Sequence, residues 1–99
     1  MRNGEYDTAI VKKRCETKLD MEFRESGPHD VGWYLLDGRR TSRITIPKGH
    51  KPIPPLTYRS MARQLFLQVA QFDDLLACPL TGEAYEYIVR KHEEGYNVH

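Results

Sequence analysis

The stretch Gly32-Trp33-Tyr34-Leu35-Leu36-Asp37-Gly38-Arg39-Arg40-Thr41-Ser42-Arg43-Ile44-Thr45-Ile46 decides the fold. Asp37-Gly38 is a preferred dipeptide for a tight hairpin, because a type I′ turn needs positive φ at both central residues. The flanking runs, rich in aromatic and branched aliphatic residues, then read as antiparallel strands, Trp33–Leu36 against Arg39–Ile46. On the returning strand Ile44 and Ile46 fall on one face, Arg43 and Thr45 on the other.

Upstream, Met21-Glu22-Phe23-Arg24 alternates apolar and polar residues as a half-buried strand does. Residues 25–30 read as a turn or loop around the interrupter Gly27-Pro28. Before them, Gly4 to about Leu19 is helical in character, with Tyr6, Ala9, Ile10 and Lys13 at core spacing and Lys12, Arg14, Glu16 and Lys18 toward solvent. Downstream, four prolines hold residues 47–55 extended. Thr57 is the expected N-cap of a helix through about Gln68, with Met61, Leu65 and Val69 on one stripe and Arg59 and Arg63 together on an exposed side. A shorter helical piece, Phe72 to Ala77, stops at Cys78-Pro79. Thr81 caps a last helix whose Tyr85, Ile88, Val89 and His92 share a face. The expected class is α+β: a three-stranded antiparallel meander with helices on one face (α-β-β-β-α), plus a C-terminal helical extension.

Ninety-nine residues suit one domain with one modest core. No apolar run is long enough to span a bilayer, and the polar N-terminus is not a signal peptide, so a cytoplasmic protein is expected. Cys15 and Cys78 stand far apart, outside any Cys-x-x-Cys pattern, which argues for reduced thiols and against a metal site. No Gly-rich phosphate loop, Ser-His-Asp pattern or His-Glu-x-x-His motif occurs, and no cofactor is expected.

Charge is distributed unevenly. From Gly38 to Phe72 there is no acidic residue but seven cationic ones: Arg39, Arg40, Arg43, Lys48, Lys51, Arg59 and Arg63. The rest of the chain carries the other eight Lys/Arg against all fourteen Asp/Glu, a balance of 8 − 14 = −6. A basic middle between acidic ends is what a surface for a polyanion needs, although a solvated basic face gives the same pattern.

Gly27-Pro28-His29, then Trp33 to Arg40 around Asp37-Gly38, then Arg43-Ile44-Thr45-Ile46-Pro47, together resemble the HicA-type toxins of toxin–antitoxin pairs. These are α-β-β-β-α domains shaped like double-stranded-RNA-binding domains. The resemblance covers roughly residues 4–68 as a HicA-like core, leaving 69–94 as a C-terminal extension packed on the same domain and 95–99 as a frayed tail. Pro28 stands where the family has a small residue. Asp30 to Gly32 reads as an insertion between histidine and strand.

The resemblance implies RNA as partner and His29 as the general base and acid of a metal-independent endoribonuclease. An imidazole is chemically suited to take and return the proton of an RNA 2′-hydroxyl. It also implies an antitoxin-type protein that covers the basic face. The expected RNA contacts are Arg39, Arg40, Arg43, Lys48, His50, Lys51, Arg59 and Arg63, directed at phosphates rather than bases. Trp33 or Tyr34 offers a surface on which bases stack, while the other packs inward. The alternative is a non-catalytic domain of the same shape, serving protein–protein assembly or plain nucleic-acid binding.

Overall fold

A computed structural model describes residues 1–97; His99 and the end of the expected tail lie outside the described residues. Asp7 sets the start of the first helix. Its side chain accepts the Ile10 N–H at 2.9 Å, so α1 runs Thr8–Leu19, after a short 3-10 turn at Asn3–Glu5 rather than from Gly4. That cap also sets the helix phase. Thr8, Val11, Cys15 and Leu19 form the buried stripe, whereas Lys13 is exposed, Tyr6 packs at the core edge, and Ala9 and Ile10 are only half-buried. Thr8 can be buried because its hydroxyl donates to the Gly49 carbonyl at 2.6 Å and accepts the Lys51 N–H at 3.0 Å. These bonds pin the proline-rich segment to the start of α1.

The strands are β1 (Glu22–Ser26), β2 (His29–Leu36) and β3 (Arg39–Pro47), in the order β1-β2-β3 and all antiparallel. Gly27, at φ +61°, and Pro28 form a two-residue loop. With so tight a loop β2 begins at His29 and stays in register through Asp30–Gly32, so the expected loop to residue 30 is instead strand. At the second hairpin Asp37 (φ 53°) and Gly38 (φ 79°) take the expected positive-φ turn. Phe23 on β1 lies across Gly32, where any Cβ would come within 2.6 Å of its ring.

The helices cover one sheet face. Helix α2 spans Pro55–Gln64, with a proline in its first turn whose fixed φ favours a start two residues before Thr57. It stops at Phe66, which takes φ +63° while its N–H bonds the Arg63 carbonyl at 3.0 Å and that of Leu67 bonds Ala62 at 2.9 Å. This Schellman end breaks the expected helix before Gln68. Val69 therefore belongs to α3 (Val69–Ala77), whose first turn is closed by reciprocal Gln68 and Gln71 bonds. Helix α4 runs Gly82–Asn97, capped by the Thr81 hydroxyl, which accepts the Ala84 N–H at 3.1 Å. It thus continues as helix where a frayed tail was expected to begin.

Tyr34, Leu36, Ile44 and Ile46 from the sheet meet Val11, Tyr58, Leu65, Phe72, Tyr85 and Val89 in one core. Each such side chain contributes about 1.5–3 kcal/mol when withdrawn from water. Arg14 and Lys18 do not fill a solvent face. They donate to the Leu76 and Leu75 carbonyls at 3.0 and 2.8 Å, satisfying the open C-terminal end of α3. Cys15 is buried, its thiol pushed up to about 12 by burial, and both cysteines are free. No described helix is long and apolar enough to cross a membrane.

Candidate nucleic-acid interface

Period two on β2 puts Asp30, Gly32, Tyr34 and Leu36 inside and leaves Val31, Trp33 and Leu35 on the opposite, open face. Tyr34 is consumed by the core, edge-on to Tyr85 at 4.8 Å, so Trp33 alone presents a ring outward. Arg43 is the cross-strand partner of Trp33. Arg40 reaches the same ring because of an irregularity in the ladder: Tyr34 pairs with Ser42 but Leu35 with Arg40, leaving Thr41 as an extra residue. Without this bulge Arg40 would share the inward parity of Ser42, Ile44 and Ile46. With it, the Arg40 and Arg43 guanidinium carbons lie 4.9 and 5.3 Å from the Trp33 ring centre.

Strand β1 adds Glu22 opposite Trp33 and Arg24 opposite Val31. Asp20, Glu22, Arg24, Trp33, Leu35 and Arg40 line a shallow depression of about 140 Å³. Arg24 was missed by reasoning from the basic window, although the alternation of β1, continued from the hairpin register, places it on this face.

The acid-free window does not stay acid-free in space. Arg39, turned to the helix side by the same bulge, meets Glu93 of α4 at 3.4 Å. Lys48 meets Glu25 at 3.5 Å, and the exposed His50 has its Nδ1 3.5 Å from Asp7. Arg40, Arg43, Lys51, Arg59 and Arg63 have no acidic partner among the described residues. Lys51, Arg59 and Arg63 are exposed, the last two on α2.

His29 stands at the other end of the sheet. It pairs with Pro47 and lines a groove between β3 and α2 with Thr45, Leu56, Thr57, Ser60 and Gln64. Gln64 closes the outer edge of β3 by accepting the Thr45 N–H at 2.9 Å. The register sets His29 four positions from Trp33, about 13 Å along the strand. Arg39 and Arg40 are farther still. Lys48, whose N–H bonds the Pro28 carbonyl at 3.2 Å, is the expected cation at the His29 end. Among the described residues no group of three His, Cys, Asp or Glu is placed to hold a metal ion. No protein-family model, curated protein or solved structure matches the chain.

Proposed function

We propose that the chain is an RNA-binding domain of HicA-like type whose contact surface is the open sheet face around Trp33. The observation that carries this reading is an outward tryptophan with two arginines over its ring, neither of them ion-paired among the described residues. A base that takes the place of a guanidinium over this ring stacks on it, worth about 1–3 kcal/mol per base, while the displaced guanidinium meets a flanking phosphate. Stacking requires an unpaired base, so the substrate class is single-stranded RNA or a loop. Contacts of this kind give salt-sensitive binding with little sequence preference.

Trp33 is the only tryptophan, so its fluorescence reports the site directly. Titration with a single-stranded RNA oligonucleotide should quench it, a duplex of equal length should do so far less, and Arg40→Glu with Arg43→Glu should abolish the effect. Binding that leaves the fluorescence unchanged, or survives the double variant, overturns this assignment.

A second reading adds cleavage at His29, and the groove beside α2 is the observation that favours it. There the imidazole would take the 2′-hydroxyl proton as that oxygen attacks the phosphorus, and the bond to the 5′-oxygen would break. The imidazolium would return the proton to the departing 5′-oxygen, leaving a cyclic phosphate without a metal while Lys48 faces the phosphate. An antitoxin-type protein partner belongs to this reading. RNA cleaved in the presence of a chelator by the parent but not by His29→Ala supports it. Binding without cleavage by the parent leaves the non-catalytic domain.

A further inference from the structure

The two edges of the sheet are treated differently. On β3 the Thr45 N–H is taken by Gln64, whereas β1 is exposed at Glu22, Arg24, Glu25 and Ser26. The two-residue loop at Gly27-Pro28 makes Ser26 and His29 a hydrogen-bonded pair, and bonded pairs then alternate along the ladder. Glu22, Arg24 and Ser26 therefore spend their backbone groups on β2. Phe23 and Glu25 point theirs out of the sheet. An exposed edge of this kind is a template for a further strand.

We propose that β1 pairs antiparallel with β1 of a second copy of this chain, about a two-fold axis at Phe23. The charge pattern selects this partner and this register. With Phe23 opposite Phe23, Glu22 of each copy faces Arg24 of the other on the open side, and neither residue has an ion pair within the described chain. Moving the axis by one residue sets either Arg24 against Arg24 or Glu22 against Glu22, which is repulsive. The chosen register also matches the backbone. Phe23 is the residue whose N–H and carbonyl face outward, so two copies exchange a reciprocal pair of bonds there. The Glu25 N–H then meets the Met21 carbonyl of the other copy, which is compatible with the Met21 N–H already being bonded to Cys15 at 3.2 Å.

The joined molecule has one continuous six-stranded sheet with both open faces on the same side. The two Trp33 strands stand three strand spacings apart, about 14 Å. One RNA strand then engages two copies, a consequence that rests on the RNA reading, whereas the self-pairing does not.

The interface is small, and a weak, salt-sensitive dimer is expected. Sedimentation of the full chain without RNA, from about 10 μM to about 1 mM, measures it. Arg24→Glu alone and Glu22→Arg alone should each weaken association at least tenfold, with circular dichroism unchanged. Mixing these two variants should restore a heterodimer, because each then offers the other's complement. A parent that stays monomeric throughout overturns the proposal, as does association that ignores both substitutions or a mixture that fails to pair.

Discussion

Arg90 on α4 grips Asp37 at the tip of the second hairpin through two parallel contacts, Nη1 to Oδ2 and Nη2 to Oδ1, both 3.0 Å. The guanidinium fork matches the carboxylate geometry, and Glu86, one turn back on the helix, holds the same arginine at 3.2 Å. The far end of the meander is thereby tied to the C-terminal extension. The Arg90 hydrogen bond and charge hold the Asp37 carboxyl below the usual carboxylate range. The contribution of the contact is thus complete above the unfolded carboxylate pKa and lost as pH falls through the lower folded value. Both groups are exposed, so Arg90→Ala should raise the Asp37 pKa and speed amide exchange at Gly38 while moving the melting temperature little. Carboxyl NMR titration together with hydrogen exchange checks this, and an unchanged Asp37 titration would refute it.

Tyr85 is the polar centre of the core. Its hydroxyl donates to the Leu65 carbonyl at 3.0 Å and lies 2.7 Å from Ser42 Oγ, joining α4, the end of α2 and β3. Burial pushes its ionisation upward, keeping the donor proton in place. Tyr85→Phe leaves both partners buried and short of a bond, at a cost of about 1–3 kcal/mol. For a domain of this size each kcal/mol lowers the melting temperature by about 4–8 °C. A loss below 1 °C on thermal unfolding would show that the hydroxyl network contributes nothing.

Asp73 anchors the N-terminus by accepting the Tyr58 hydroxyl at 2.5 Å and the Arg2 N–H at 3.0 Å, with the Met1 ammonium 3.6 Å away. Burial works against its charge, but the Tyr58 and Arg2 bonds and the terminal ammonium outweigh it and lower its pKa. Its stabilisation is therefore present above the unfolded carboxylate pKa and disappears as pH falls through the folded one. Tyr58→Phe should cost about 1.5–3 kcal/mol near neutrality, as a bond to a charged acceptor does. The difference from the parent should shrink in acid. Denaturant unfolding at about pH 7 and about pH 2 tests the sign, and a difference that grows in acid would reverse it.

The hairpin at Asp37-Gly38 was legible because a two-residue turn has few chemistries, and the alternation of Ile44 and Ile46 named the buried face without further help. The register beyond the turn was not, since the extra residue at Thr41 leaves no mark in composition, yet it decides which of Arg39 and Arg40 faces solvent. The α1 face was misread because a buried Thr8 and Cys15 do not look apolar until their partners are known. The break at Phe66 was hidden for a related reason: a positive-φ phenylalanine, stacked 4.0 Å from His92, lacks the glycine that usually announces such an end. Acids remote in sequence, Glu93 and Glu25, removed two cations from the basic window by tertiary contact.

The cations should accordingly contribute unequally to RNA binding. Arg40 and Arg43 lie over the stacking ring with no acidic partner among the described residues, whereas Arg39 points to the helix side and is engaged by Glu93. For single strands each phosphate neutralised contributes about 0.7 to the slope of log K against log salt. Arg40→Ala with Arg43→Ala should therefore flatten the slope by about 1.4 if each arginine meets one phosphate. Arg39→Ala should leave slope and affinity close to those of the parent. Trp33→Ala should weaken binding by about 1–3 kcal/mol with the slope retained, because stacking releases no counterions. Affinities measured at four or more salt concentrations separate the two effects. Equal loss of slope in all three variants would mean that the open face is a diffuse cationic surface, and that the bulge at Thr41 does not govern which arginine meets RNA.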